Sequence, residues 1–567
     1  MKFSTARGLL IAAIATPLAA LSLAAQSAPP ATNQQAQPKP KGQVIFSRST
    51  DAAGNTTTQA GPAAPQPKIQ MATDPSVDDA ARRAATMTAL SLDVHLQPAE
   101  HHIAVRALVT VRNDGKTPLT HIPLQISSDL HWDQIRAEGR DISAQVVTLN
   151  SDADHTGQLH EAAIPLAQPL APGASLRLDV AYSGAIAATA QRLIALGTPS
   201  DLAIRTDWDE ISQSFTGLRG FGNVVWYPVS SVPAILGDGN RLFAEIGTQK
   251  LRLQGAAFAL QLTVEFPHGQ PPAIAVVNGE PVPLEVHDAG GLDPAVSGVA
   301  TAKVQSTIGF QEPSLFVAAR TRHTGDHVDA WTLPADENPV QEWLTEASVV
   351  SPFLEQWLGA HSSRRLTLLD LPDPDDAPFE TGSLLAVPLG DHTDPELAAI
   401  LVHAMTHAWL HEPPAWLNEG VATFLSSVWV EQHQGRERAL EMLEAQRSAL
   451  ALAEPSSPGE SAGEPLPRAT DPVYFRTKAA YVLWMLRDLT SDAALAHALQ
   501  ALAMPAASRH DADLQDLLKQ AGDPRDLAWF FADWVNADKG LPDLAIDSVY
   551  PTLANAGSYL VAVTFSN

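Results

Sequence analysis

The sequence contains no cysteine. Disulfides, thiolate nucleophiles and cysteine-held metals are therefore excluded, and any bound metal must be held by His, Asp or Glu. Basic residues are few: 36 Lys and Arg stand against 63 Asp and Glu, a formal net charge of −27. A chain this acidic lacks the cationic footprint that nucleic acid or an anionic membrane surface requires. Beyond the N-terminus no stretch has the length and apolarity of a transmembrane helix, so no integral span is expected after removal of the leader. What is present is apolar mass. Such residues make up 45% of the 567, enough for several cores, and the length calls for roughly two to four domains.

Lys2 and Arg7 form a positive start, followed over residues 9–25 by an apolar run broken only by Pro17 and a few small polar residues. Ser22 and Ala24, or Ala25 and Ser27, supply small residues where a signal peptidase cleaves. Residues 1–25 read as a signal peptide, which places the mature protein in the periplasm or outside the cell. An uncleaved anchor is the alternative, for which the run is short. Residues 26–85 are rich in Pro, Ala, Gln, Ser and Thr and poor in aromatics, the composition of a disordered linker.

From residue 86 the apolar period becomes two. Ile103, Val105, Ala107, Val109 and Val111 point one way and Arg106, Thr110 and Arg112 the other, before a turn at Asn113, Asp114 and Gly115. Similar strands at 121–127, 176–182, 258–265 and 272–277 extend an antiparallel, sandwich-like β domain over 86–325. Over 326–540 the period turns helical. Asp394, Pro395 and Glu396 open a helix that Pro413 and Pro414 stop, and a second helix starts near Ala415. Further helices fit 436–452, 474–489, 491–503, 511–520 and 524–537, with a surface loop at 454–466. Residues 541–567 return to strand character, either as a closing edge strand or as the start of a further domain.

One segment carries chemistry. His403 and His407 lie one helical turn apart, so both imidazoles face one side and can share a tetrahedral metal. They sit on an apolar helix with Leu397, Ile400, Leu401, Met405 and Trp409, where two histidines without partners would be costly. Glu419, near the start of the next helix, can supply the third ligand and leave the fourth position open. His323 and His327 share the same spacing but lie in a polar stretch with Gly325, where a surface reading holds.

The helix around 401–409, followed by Trp416, Leu417, Asn418, Glu419 and Gly420, resembles the aminopeptidase N-like family of gluzincin zinc metallopeptidases, whose pattern is H-E-x-x-H, a spacer and W-L-N-E-G. Residues 477–487 are similar to the family's K-G-x-x-V-L-x-M-L-R helix, residues 526–534 to its D-L-x-W-F-F segment, and residues 90–132 to its N-terminal β domain. The resemblance spans about 86–540. It implies a multidomain α+β chain: an N-terminal antiparallel β-sandwich-like domain, then a thermolysin-like, mainly helical catalytic-type domain. It also implies one Zn2+ per chain on His403, His407 and Glu419, and a peptide or protein as substrate or ligand.

The departures from the family shape the functional reading. Ala404 stands where the general-base glutamate belongs, a group that contributes on the order of 10²–10⁴ in rate. The spacer from His407 to Glu419 is short for an aminopeptidase. The G-A-M-E-N motif, which binds a substrate's amino terminus, is absent; Glu380, upstream of the helix, is its nearest counterpart and the candidate substrate-binding residue. Tyr474 is the nearest counterpart of the transition-state tyrosine. Glu412 or Glu380 could stand in for the lost base, and His411 could be a spare ligand. Three functions remain open: a zinc-binding pseudopeptidase, an active metallopeptidase with another proton shuttle, and an interaction protein that holds no metal.

Overall fold

The computed structural model describes residues 46–50, 56–60 and 77–566, apart from 239–240, 289–297, 361–363, 391–393, 411–412, 454–462, 505–512, 523–524, 539–544 and 556. The expected signal peptide, His411, Glu412 and most of the 454–466 loop lie outside the described residues. The chain divides into two compact units, residues 1–71 and 72–567.

In the first unit, Phe46–Thr50 and Thr56–Ala60 form an antiparallel hairpin with Phe46 opposite Ala60. The stretch read as linker thus carries structure, and its last residues begin the second unit. There Asp79–Ala84 is a short helix whose N-cap, Asp78, accepts from the Ala81 amide at 2.8 Å. This helix is tied down by Arg82, which donates to both carboxylate oxygens of buried Glu161.

The alternation at 103–111 gives the strand His102–Asn113, with Ile103, Val105, Ala107, Val109 and Val111 all buried and Arg106 and Arg112 exposed. It sits inside an eight-stranded sheet, beside Ala85–Gln97 and Ser175–Ala185. Ala85–Gln97 pairs in parallel with Ala257–Phe266 on its other side, so this sheet is mixed where antiparallel pairing was expected throughout. A three-stranded sheet (Leu119–Ser127, Gln158–Leu170, Gln145–Asn150) and a five-stranded one accompany it. Helices also occur here, the longest being Arg241–Leu253. The overall class is mixed α and β, with several sheets.

The second half opens with a five-stranded sheet that periodicity did not single out. Val328–Thr332, Leu366–Asp370 and Leu384–Val387 run parallel at its centre, with Thr321–Thr324 and Phe379–Thr381 antiparallel at its edges. Its middle strand is buried at every position, so it lacks the alternation that marks a half-exposed strand.

The helices follow closely on the expected positions. Asp394–Trp409, here the histidine helix, is followed by Ala415–Gln434, then Arg436–Ala453, Ala479–Leu489 and Asp492–Ala503. One large core joins them to the sheet, with Trp343, Trp357, Trp409 and Phe424 fully buried. The Trp409 indole donates to the Gly359 carbonyl at 3.0 Å, which fixes the end of the histidine helix. The terminal segment forms a hairpin, Ala545–Asn555 with Ser558–Ser566. Among the described residues, no helix is long and apolar enough to cross a membrane.

Candidate metal centre

His403 and His407 project from the same side of the histidine helix, with Nε2 atoms 3.4 Å apart. The helix is anchored by Leu401, Val402 and Met405, all buried in the core, which turns the imidazoles toward the opposing strand and helix. Glu380 faces them from the edge strand Phe379–Thr381. Its Oε2 lies 3.3 Å from His403 Nε2 and its Oε1 3.6 Å from His407 Nε2. These three side chains form a group whose donor atoms all lie within 4.8 Å of one another.

The two-proline break turns the chain into the following helix, where Asn418 and Glu419 lie in the first turns. Asn418 Oδ1 is 3.0 Å from His407 Nδ1. With that oxygen accepting, Nδ1 carries the proton and the Nε2 lone pair points into the cluster, as a metal-ligating imidazole requires. Glu419 lies outside the group of three. Its Oε2 is 3.1 Å from Nε of Arg476.

Arg476 is the residue that sequence reasoning missed. It lies in a π-helical turn, Val473–Lys478, that precedes the helix Ala479–Leu489. Such turns occur often at functional sites. Its Nη2 is 3.0 Å from His403 Nε2 and 3.7 Å from Glu380 Oε2. A guanidinium has donors only, so His403 accepts through Nε2. Nothing in the spacing pattern marks this arginine. Asn418, by contrast, stands in the W-L-N-E-G stretch beside Glu419.

The electrostatics follow from this crowding. Burial alone would raise the Glu380 carboxyl, but His403 and His407 in their protonated form, together with Arg476, outweigh it and pull the group down to about 2. Burial also opposes ionised Glu419, and Arg476 with the two histidines holds it below its ordinary value. Glu380 Oε1 is buried and has no hydrogen-bond partner among the described residues. With both imidazoles neutral, the cluster is a convergence of acceptors, two imidazole lone pairs and a carboxylate, which a cation would satisfy.

The spacing suits zinc. Bonds of about 2.1 Å in tetrahedral geometry place ligand atoms about 3.4 Å apart. The two imidazole Nε2 atoms are 3.4 Å apart, while Glu380 meets His403 through Oε2 at 3.3 Å and His407 through Oε1 at 3.6 Å. The side chains present thus fit a zinc ion, with Glu380 in the carboxylate position expected for Glu419.

The remaining sequence candidates have the following surroundings. The methyl group of Ala404 is buried in the core and offers no proton acceptor. The Tyr474 hydroxyl donates to the Ala453 carbonyl at 2.8 Å, a structural bond. His323 lies on the edge strand Thr321–Thr324 and His327 beyond its turn, so their spacing does not put them on one helical face.

No family model matches the chain. No curated protein matches it either. Solved structures of M1 zinc metallopeptidases from Deinococcus radiodurans do resemble it. A point mutant bound to a Tyr-Ser-Ala substrate is 18% identical, over 81% of this chain and 96% of that one, at a TM-score of 0.46. The M1 zinc metallopeptidase without that mutation is 16% identical, over 81% and 95%, at 0.45.

Proposed function

We propose that this is an exported, zinc-binding metallopeptidase-like protein of the aminopeptidase N-like kind whose peptide hydrolysis is impaired, a pseudopeptidase. The observation that carries the reading is the convergence of Glu380, His403 and His407, whose donor atoms lie within 4.8 Å of one another, with the two imidazole nitrogens 3.4 Å apart. Export rests on the N-terminal pattern of Lys2, Arg7 and the apolar run at 9–25.

His403 and His407 would hold the metal with one carboxylate, Glu380 as the side chains stand, or Glu419 if it is released from Arg476. Zinc, when bound, polarises a carbonyl and lowers the pKa of water. Asn418 fixes the tautomer and ring plane of His407. What position 404 lacks is the family's proton carrier, because an alanine methyl can neither take a proton from water nor deliver one to a leaving amine. Peptide hydrolysis is therefore expected to be slow even with the site loaded.

The test is zinc stoichiometry by elemental analysis on protein purified without added metal, beside a His403→Ala/His407→Ala double mutant. About one zinc per chain, lost in the double mutant, is the expected result. No zinc in either protein after zinc is offered would remove the metal reading. It would favour the second one, an interaction protein whose site charge is partly offset by Arg476, for which the 3.0 Å contact to His403 and 3.1 Å contact to Glu419 are the support.

A further inference from the structure

The position of Arg476 carries an inference that deepens, and rests on, the zinc reading. One guanidinium spans the site: Nη2 lies 3.0 Å from His403 Nε2, and Nε lies 3.1 Å from Glu419 Oε2. The Arg476 side chain is only 21% exposed, so its charge is poorly screened. It covers the lone pair that His403 would give to a metal, and it holds away the carboxylate that the sequence pattern assigns as third ligand.

We infer that Arg476 is a built-in counter-cation that competes with a divalent metal for this site, so that metal binding requires the guanidinium to be displaced. The charge balance favours the competition. With neutral imidazoles, Glu380, Glu419 and Arg476 sum to −1. A divalent ion beside an unmoved Arg476 takes the site to +1, with two cations on the same His403 nitrogen. If the guanidinium leaves, the ion and the two carboxylates balance to zero, and Glu419 is free to swing toward the metal. The site therefore has two arrangements, one closed by arginine and one closed by metal, and apparent metal affinity is reduced by the stability of the first.

The π-helical turn is consistent with such a device. Arg476 lies midway along the turn, whose i→i+5 bonding is less regular than an α-helix. Lys478, two residues on, is pinned by a buried pair with Asp538, so the turn has a fixed end from which the arginine side chain can swing.

The experiment is a zinc titration of the full chain, stripped with chelator, against a fluorescent chelator of known affinity. Wild type is compared with Arg476→Met, which keeps the aliphatic stem and removes the charge, and with Arg476→Lys, which keeps the charge but not the planar fork. Circular dichroism checks that each variant is folded. Arg476→Met is expected to bind zinc roughly ten-fold or more tightly than wild type, with Arg476→Lys between them. Equal affinity in wild type and Arg476→Met would overturn the competition while leaving the zinc reading intact. Weaker binding in Arg476→Met would overturn it too, and would make the arginine a support of the site. No zinc binding by any of the three would overturn both readings together.

Discussion

Ala404→Glu should raise peptide hydrolysis by this protein by a factor on the order of 10²–10⁴ when the site is saturated with zinc. Position 404 follows His403 directly on the histidine helix, whose imidazoles converge on Glu380. A carboxylate there would take up a proton from metal-bound water and return it to the departing amine, the two transfers a methyl group cannot make. The native residue is 2% exposed, so the longer side chain has to find room toward the metal side rather than in the core. Thermal unfolding would show whether it does. The measurement is hydrolysis of a panel of short peptides by the folded, zinc-loaded variant beside wild type. A rise of orders of magnitude identifies the native protein as a pseudopeptidase with a competent metal site. Equal rates in the two proteins, with zinc bound in both, would mean that the missing base is not what limits the chemistry.

The largest expected effect on stability is at Lys478, two residues beyond Arg476. Its ammonium pairs with Asp538, and both side chains are almost fully buried, at 3% and 1% exposure. Lys478 also lies 5.3 Å from the Tyr474 ring. Replacing it by Met keeps the stem but breaks the buried pair from one side, which typically costs about 3–5 kcal/mol. The unfolding midpoint of Lys478→Met should fall accordingly in urea or on heating. Lys478→Met/Asp538→Leu should recover most of the loss, because removing both charges of a buried pair costs far less than removing one. If the single variant unfolds at the wild-type midpoint, the pair does not hold the π-helical turn in place.

Much of this site was legible in the sequence because helix geometry converts spacing directly into direction. The interval from His403 to His407 put both rings on one side, and the two prolines at 413 and 414 announced the break before Glu419. The alternation at Ile103 to Val111 likewise fixed which side chains of that strand face the core. What was not legible depends on contacts between distant segments. Glu380 reaches the histidines only because a short edge strand pairs with Leu384–Val387, and the central strands of that sheet are buried too evenly to show a period. The arginine was hidden for a different reason. A π-helical turn alters the angular advance per residue, so α-helical spacing does not report where Arg476 points. With Arg476 in place, Glu419 is drawn into an ion pair, and the carboxylate that meets both histidines is Glu380.

The most direct test of the account is to locate the metal. Crystals grown with zinc would be measured above and below the zinc absorption edge, and the anomalous difference map inspected around the histidine helix. The account predicts a single strong peak about 2.0–2.2 Å from Nε2 of His403, from Nε2 of His407 and from a carboxylate oxygen of Glu380 or a released Glu419, with the Arg476 guanidinium moved off His403. A map without a peak there, with Arg476 still on His403 in the presence of excess zinc, would contradict it.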